Sequence, residues 1–359
     1  MVGTALRAVR RGCAAPREIR GRLGEASLPR SARSGLIGRW LLGAGLSCAA
    51  GTWAEAATAE QRTVLIVLGA EGEADYKAGF AAQVPLWEKA AAQAGAKPVV
   101  IGAATEIETE TDWAQIKRTL EAEPKAGTGE LWVVMIGHGT FDGKESKFNL
   151  RGPDLAAGDL AAWLKPFGRP LAVINTASAS APFIGRLSGP NRVVVTATRT
   201  GKEQNFARFG PYLAEAIGDA KSDLDQDGQT SLLEAFLSAS ARVKEFYKTE
   251  GRLATEHALI DDNGDGLGTP AEWFRGTRAT KQAKDGAELD GARARNLPLV
   301  RSDAEEKLTP EQRTRRDELE LAVEALRETK SKAAEADYYR DLERLMLELA
   351  RVYAPSAAK

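Results

Sequence analysis

The residues able to do chemistry are few and grouped. His138 is one of two histidines and stands in "VVMIGHGTFDG", Val133 to Gly143. An apolar run leads into Gly-His-Gly, the pattern of a buried strand that delivers an imidazole to a loop at its carboxyl end. An imidazole placed there suits general acid–base work, or activation of a nucleophile within hydrogen-bond reach. A second loop of small residues, "NTASASAPF" from Asn175 to Phe183, also follows an apolar run and offers the hydroxyls of Ser178 and Ser180. Cys13 and Cys48 are the only cysteines. The chain beyond residue 48 therefore holds no disulfide, thiolate metal site or cysteine nucleophile. The other histidine, His257, adjoins Glu256 and reads as a surface or capping residue.

Two further stretches are rich in oxygen ligands. "DLDQDGQTSLLE", Asp223 to Glu234, has the twelve-residue calcium-loop spacing. Asp223, Asp225 and Asp227 stand at positions one, three and five. Gly228 supplies the turn at six, Gln229 a carbonyl at seven, Ser231 stands at nine, and Glu234 is the bidentate acid at twelve. A hard cation needs six to eight oxygens converging on one point, and this spacing supplies them. The required second helix is predicted over 231–248. "DDNGDGLGTPAE", Asp261 to Glu272, has Asp261, Asn263, Asp265, Gly266, Thr269 and Glu272 at positions one, three, five, six, nine and twelve. Its Gly268 and Pro270 are poor openers for a helix. Both calcium and an ion-free Asp/Gly turn stay open for it.

The elements that must position these groups alternate in type. "RTVLIVLG", "KPVVIG", "ELWVVMIG", "RPLAVINTASAS" and "NRVVVTATRTG" read as strands. Tyr76 to Gly95 reads as a helix kinked or divided at Pro85. Further helices are predicted at 111–123, with Thr111 and Asp112 as candidate caps, and at 153–165 and 206–218. Strand–helix alternation predicts an α/β fold with a mostly parallel sheet and helices on both faces, whose site lies at the carboxyl ends of the strands. Residues 277–308 are polar and irregular and read as a linker. Thr309-Pro310-Glu311 opens a helix. Leu319, Val323 and Leu326 share one face, and Leu342, Leu345, Leu349 and Val352 another. This predicts a coiled-coil-like helical hairpin over 309–355 turning near 330–336.

Composition narrows the partners. A chain of 359 residues with 43% hydrophobic and 28% charged residues can bury a sizeable core. A net charge of -1 gives no electrostatic reason to bind nucleic acid. No apolar stretch is long enough to predict polytopic membrane insertion. Residues 1–40 carry nine Arg, no Lys and two Glu. Arg33 and Arg39 precede an apolar run from Trp40 to Trp53, and small residues follow around Ala54 to Ala57. This is the layout of a signal peptide behind an over-long start, and predicts export. The expected organisation is a leader over 1–58, a domain over 59–276, a linker over 277–308 and the hairpin.

The two loops together carry a resemblance. "GHG" at Gly137, His138 and Gly139, then "INTASASAPF" after the next strand, resemble the legumain-type cysteine peptidases and the related caspase, gingipain and clostripain group. In that group a His-Gly pair follows one strand, and a pattern like Asp-(Thr/Ala)-Cys-x-Ser-Gly-Ser follows the next. The resemblance spans roughly residues 62 to 275 and implies a caspase-like fold. It assigns His138 and Gly139 to the catalytic pair and puts Ala177 where the cysteine belongs. The following polar loop, "TRTGKEQN", occupies the place of the specificity pocket, with Glu203 and Asn205 as candidate substrate-binding residues. A methyl group cannot attack a carbonyl. The leading expectation is therefore an exported, non-catalytic domain that binds a peptide or protein ligand and carries calcium loops. The alternatives are a serine-type hydrolase using His138 with Ser178 or Ser180, and a calcium-responsive interaction protein with the hairpin as its working part.

Overall fold

The computed structural model describes residues 61–104, 109–286 and 288–354. The leader, the expected signal peptide and both cysteines lie outside the described residues. The apolar, β-branched runs form the expected sheet. Its strands are β1 (Thr63–Leu68), β2 (Lys97–Ile101), β3 (Leu131–Ile136), β7 (Leu171–Asn175), β8 (Arg192–Thr196), β9 (Leu259–Asp261) and β10 (Thr269–Pro270), ordered β10-β9-β8-β7-β3-β1-β2. The pairs β1–β2, β1–β3, β3–β7 and β7–β8 are parallel, and β9 and β10 close the edge antiparallel. A small antiparallel sheet of β4 (Gly139–Phe141), β5 (Ser146–Phe148) and β6 (Leu155–Ala156) follows β3. A two-stranded pair, β11 (Phe274–Arg275) and β12 (Arg278–Ala279), completes the strands.

Strand side chains alternate between faces, so the one sheet separates two cores. Val64, Ile66, Trp132, Val134, Ile174 and Val195 meet the helices Val84–Gln93, Phe209–Ala216 and Leu232–Thr249. Leu65, Val67, Val133, Met135, Val173 and Val194 meet Asp112–Ala122, Ala157–Leu164 and the short helix Ile184–Leu187. Full burial of each large apolar side chain contributes about 1.5–3 kcal/mol. The predicted helix at 76–95 is divided: Ala74–Ala81 ends before Gln83, and Pro85 stands in the first turn of Val84–Gln93, where its missing N–H costs nothing. Thr111 caps the next helix by accepting from Ala114 N, whereas Asp112 is buried and paired with Arg151 at 2.8 Å.

The stretch read as a linker, 277–308, is instead packed. Ala294 and Leu299 are fully buried in the first core. Arg62 donates to the carbonyls of Ala94, Pro298 and Leu299 and pairs with Glu130 at 2.7 Å, while Arg301 pairs with the same carboxylate at 2.5 Å. These contacts bind the segment beneath the amino ends of β1 and β3. Its buried side chains are separated by charged ones, which is why no periodicity marks it. The hairpin forms as expected from Pro310–Thr329 and Glu335–Tyr353, with Leu319, Val323 and Leu345 as its own small core. No helix among the described residues is long and apolar enough to cross a membrane.

Candidate functional site

Four loops at the carboxyl ends of β1, β3, β7 and β8 build the site. His138 follows β3 and is half-buried against the rings of Tyr76 and Phe80, with centroids 4.7 and 4.9 Å away and edge-on geometry; Phe206 stands 6.4 Å away. Burial holds its imidazole below the usual range, against the opposing pull of a hydrogen bond to the Glu71 carbonyl and of the Glu73 carboxylate. Burial thus favours the neutral ring. Tyr76 and Phe80 stand four residues apart on the helix Ala74–Ala81, whereas Phe206 comes from a distant segment.

The loop after β7 lies directly against Gly139. Ala177 is fully buried, and its backbone N–H is held by the Asn175 side chain at 3.1 Å. A Cβ at Gly139 would stand 2.3 Å from the Ser178 carbonyl oxygen and 3.4 Å from the Ala177 methyl, so only glycine fits. Gly139→Ala is expected to destabilise the protein by roughly 2–3 kcal/mol through overpacking. A thermal melt matching the parent would show that the two loops separate freely.

Both serines are committed elsewhere. Ser178 Oγ accepts from Gly139 N at 3.2 Å and donates to Gly139 O at 3.1 Å. Ser180 Oγ accepts from Ala197 N at 3.1 Å and shares a hydrogen bond with Thr198 Oγ1 at 3.2 Å. Ser178 is 3% exposed and Ser180 is fully buried. Neither bonds to His138 among the described residues. Between them Ala179 takes φ 52°, a left-handed conformation disfavoured for a residue with a Cβ. Its N–H bonds the Glu203 carbonyl at 2.7 Å, and its own carbonyl accepts from Ser146 Oγ. The loop is thus clamped from both sides.

Glu203 lies at the wall of the site. Its carboxylate meets His257 Nδ1 at 2.7 Å and accepts from the backbone of Arg199 and of His257. His257 is therefore a partner of Glu203 rather than a bystander. Asn205 is exposed. Glu256, 2% exposed, accepts from Arg208 N and Phe209 N and so caps the helix Phe209–Ala216. Burial raises its pKa against those bonds. Nothing in its sequence setting distinguished this acid from a surface one.

The calcium-type loops fare differently. Carboxylate oxygens of Asp223, Asp225 and Asp227 all lie within 4.8 Å of one another. Burial, then Glu234, Asp227 and Asp223, push Asp225 up to about 6. Glu234 accepts from Leu224 N, Asp225 N and Ser231 N, and forms a capping box with Ser231. Gln229 hands its side-chain oxygen to Ser302 N. The donor set and its crowding of negative charge fit a hard cation. The second loop is not gathered this way among the described residues. Asp261 spends its carboxylate on Ser188 Oγ and Gly264 N, Asn263 and Asp265 bond each other, and Glu272 is exposed. Thr269 enters β10 and no α-helix follows, so this stretch is the turn of the β9–β10 hairpin.

No family model matches the sequence, and no curated protein matches it. Among solved structures, the chain is similar to the Drosophila initiator caspase Dronc, at 11% identity and a TM-score of 0.37, covering 57% of this chain and 81% of that one. It is similar to caspase-1 from Spodoptera frugiperda, at 10% identity and 0.36, with 56% and 87% covered. The same shares are covered with drICE, at 12% identity and 0.33.

Proposed function

We propose that this chain is a caspase-like domain without its nucleophile, which binds a peptide or protein ligand and leaves it uncut. The observation that carries the reading is residue 177: beside the His138-Gly139 loop, where attack would begin, stands a buried methyl group. The hydroxyls of Ser178 and Ser180, one and three residues further on, are bound to Gly139 and to the end of β8, which argues against a serine enzyme. His138 then packs against Tyr76, Phe80 and Phe206 with no nucleophile to activate. Incubation of residues 59–359 with a peptide library is expected to give no cleavage, and a serine-directed phosphonate is expected to leave Ser178 and Ser180 unlabelled. Cleavage that Ser178→Ala abolishes would establish the serine-hydrolase alternative. His138→Ala is expected to leave ligand binding within a few-fold of the parent.

Calcium at the first loop belongs to the same reading. Asp223, Asp225, Asp227, the Gln229 carbonyl and Glu234 would hold it, and the ion would neutralise the crowded carboxylates. Calcium at 100 times its dissociation constant is expected to stabilise the fold by about 2.7 kcal/mol, with Asp225→Asn losing most of that gain. A melting temperature equal in calcium and in chelator would remove calcium from the reading. Export is part of the proposal too, supported by Arg33, Arg39 and the apolar run after them. It is tested by N-terminal sequencing of the protein recovered outside the cytoplasm.

A further inference from the structure

A groove of about 390 Å³ is lined by the calcium-type loop, the segment 302–305 and the helical hairpin, and it shares no residue with the His138 site. Five acids line it, Asp225, Asp227, Glu305, Glu320 and Glu324, against the guanidiniums of Arg295, Arg316 and Arg327. Those guanidiniums are already engaged. Glu324 takes Arg295 and Arg327 at 3.2 and 2.7 Å, and Arg316 pairs with Glu305 at 2.6 Å and with Asp317 at 2.7 Å. Asp225, Asp227 and Glu320 are left without an ion pair among the described residues. The groove therefore carries negative charge that the fold itself does not balance.

A second observation concerns the same groove. Glu305 is 3% exposed; its Oε2 meets Arg316, while its Oε1 is buried and has no hydrogen-bond donor among the described residues. Buried carboxylate oxygens are normally satisfied, and one that is not marks a place for a donor from outside the chain. Burial raises the Glu320 pKa against the pull of Arg316 and Arg295, so an added cation would favour its ionised form. The lining also has an apolar part: Val323 and Leu349, with Met346 and Tyr353 each 47% exposed. An inorganic cation would leave Met346 and Tyr353 bare, and an anion would face the unpaired acids. An ammonium on a methylene chain meets both parts, its N–H donors on the carboxylates and its stem along the apolar side chains. We propose that this groove binds an alkylammonium, carried either by a free linear diamine or by a lysine side chain of a partner peptide. Glu305 and Glu320 are the residues that select it.

The test is calorimetric titration of the full chain, in chelator, with cadaverine, with the uncharged diol of the same length, and with an acetylated Gly-Lys-Gly amide. At least one of the two amines is expected to bind about tenfold tighter than the diol, and Glu320→Gln or Glu305→Gln to remove most of that preference, with unchanged circular dichroism. Because Glu305 is buried and paired, the half-buried Glu320 gives the variant that keeps the test valid if Glu305→Gln does not fold. Tighter cadaverine identifies a free diamine as the ligand, and a tighter peptide identifies a lysine side chain. Equal binding of amines and diol, or binding of none, overturns the proposal, as does a preference that Glu320→Gln leaves within about twofold. Loss of the amine in Asp223→Asn but not in Glu320→Gln would place it on the calcium-type loop, outside the groove, and overturns the proposal as well.

Discussion

Glu130→Ala is expected to lower the unfolding free energy by about 3–5 kcal/mol, the cost of leaving buried charge uncompensated. Glu130 is 7% exposed and its two oxygens take Arg62 and Arg301 at 2.7 and 2.5 Å. Burial alone would raise its pKa, but the two guanidiniums outweigh burial and hold it below the usual carboxylate range. Without the carboxylate, Arg62 keeps its carbonyl partners and only the more distant Glu306 carboxylate at 3.9 Å, and Arg301 loses its buried anion. The folded-state pKa is depressed, so this stabilisation is present above the unfolded value near 4.3 and is lost as pH falls through the folded value. Urea denaturation at pH 7 measures the change. A loss under about 1 kcal/mol would mean that water reaches the network, as at a surface pair.

The second large effect is a dependence on pH in the opposite sense. Asp262 and Asp290, 3% and 4% exposed, face each other and share a side-chain hydrogen bond. Asp262 accepts from Gly291 N and Ala294 N, and Asp290 accepts from Asp262 N, Asn263 N and Thr269 Oγ1. Burial, then the Asp262 carboxylate, push Asp290 up to about 8. Two adjacent buried carboxyls cannot both ionise cheaply, so one keeps a proton at neutral pH. A raised folded-state pKa gives stability that is complete below the unfolded value near 3.9 and lost as pH rises through about 8. Asp290→Asn, which mimics the protonated acid, is expected to flatten that decline by roughly 2–5 kcal/mol between pH 4 and pH 9. Parallel stability profiles for parent and variant would show that the pair is not proton-linked.

The parallel sheet was legible because its strands are short β-branched runs buried on both faces. His138 and the loop after β7 were legible because glycine and small residues follow such runs directly. The sheet of β4, β5 and β6 was not, since Gly-Thr-Phe and Ser-Lys-Phe are too short to show alternation. At residues 261–272 the same Asp, Asn and Gly residues suit a cation loop and a tight hairpin turn, and only pairing with β9 separates the two. Arg62, Arg169, Glu130 and Glu256 carry no sequence sign of their burial because their partners are distant in sequence. The rings around His138 and the pairing of Glu203 with His257 went unread for the same reason.

Arg62, just ahead of β1, also sets a schedule. Arg62 bonds the carbonyl of Leu299, 237 residues later, and Glu130 waits 171 residues for Arg301. Contacts of such separation form late, because the entropy of closing the loop comes before its reward. During synthesis the sheet would assemble with Arg62 held by Glu130 and the Ala94 carbonyl alone, and its underside would be covered only when residues 297–301 leave the ribosome. A nascent chain halted at residue 280 should therefore be protease-sensitive at the amino ends of β1 and β3, and one released at 310 should be resistant.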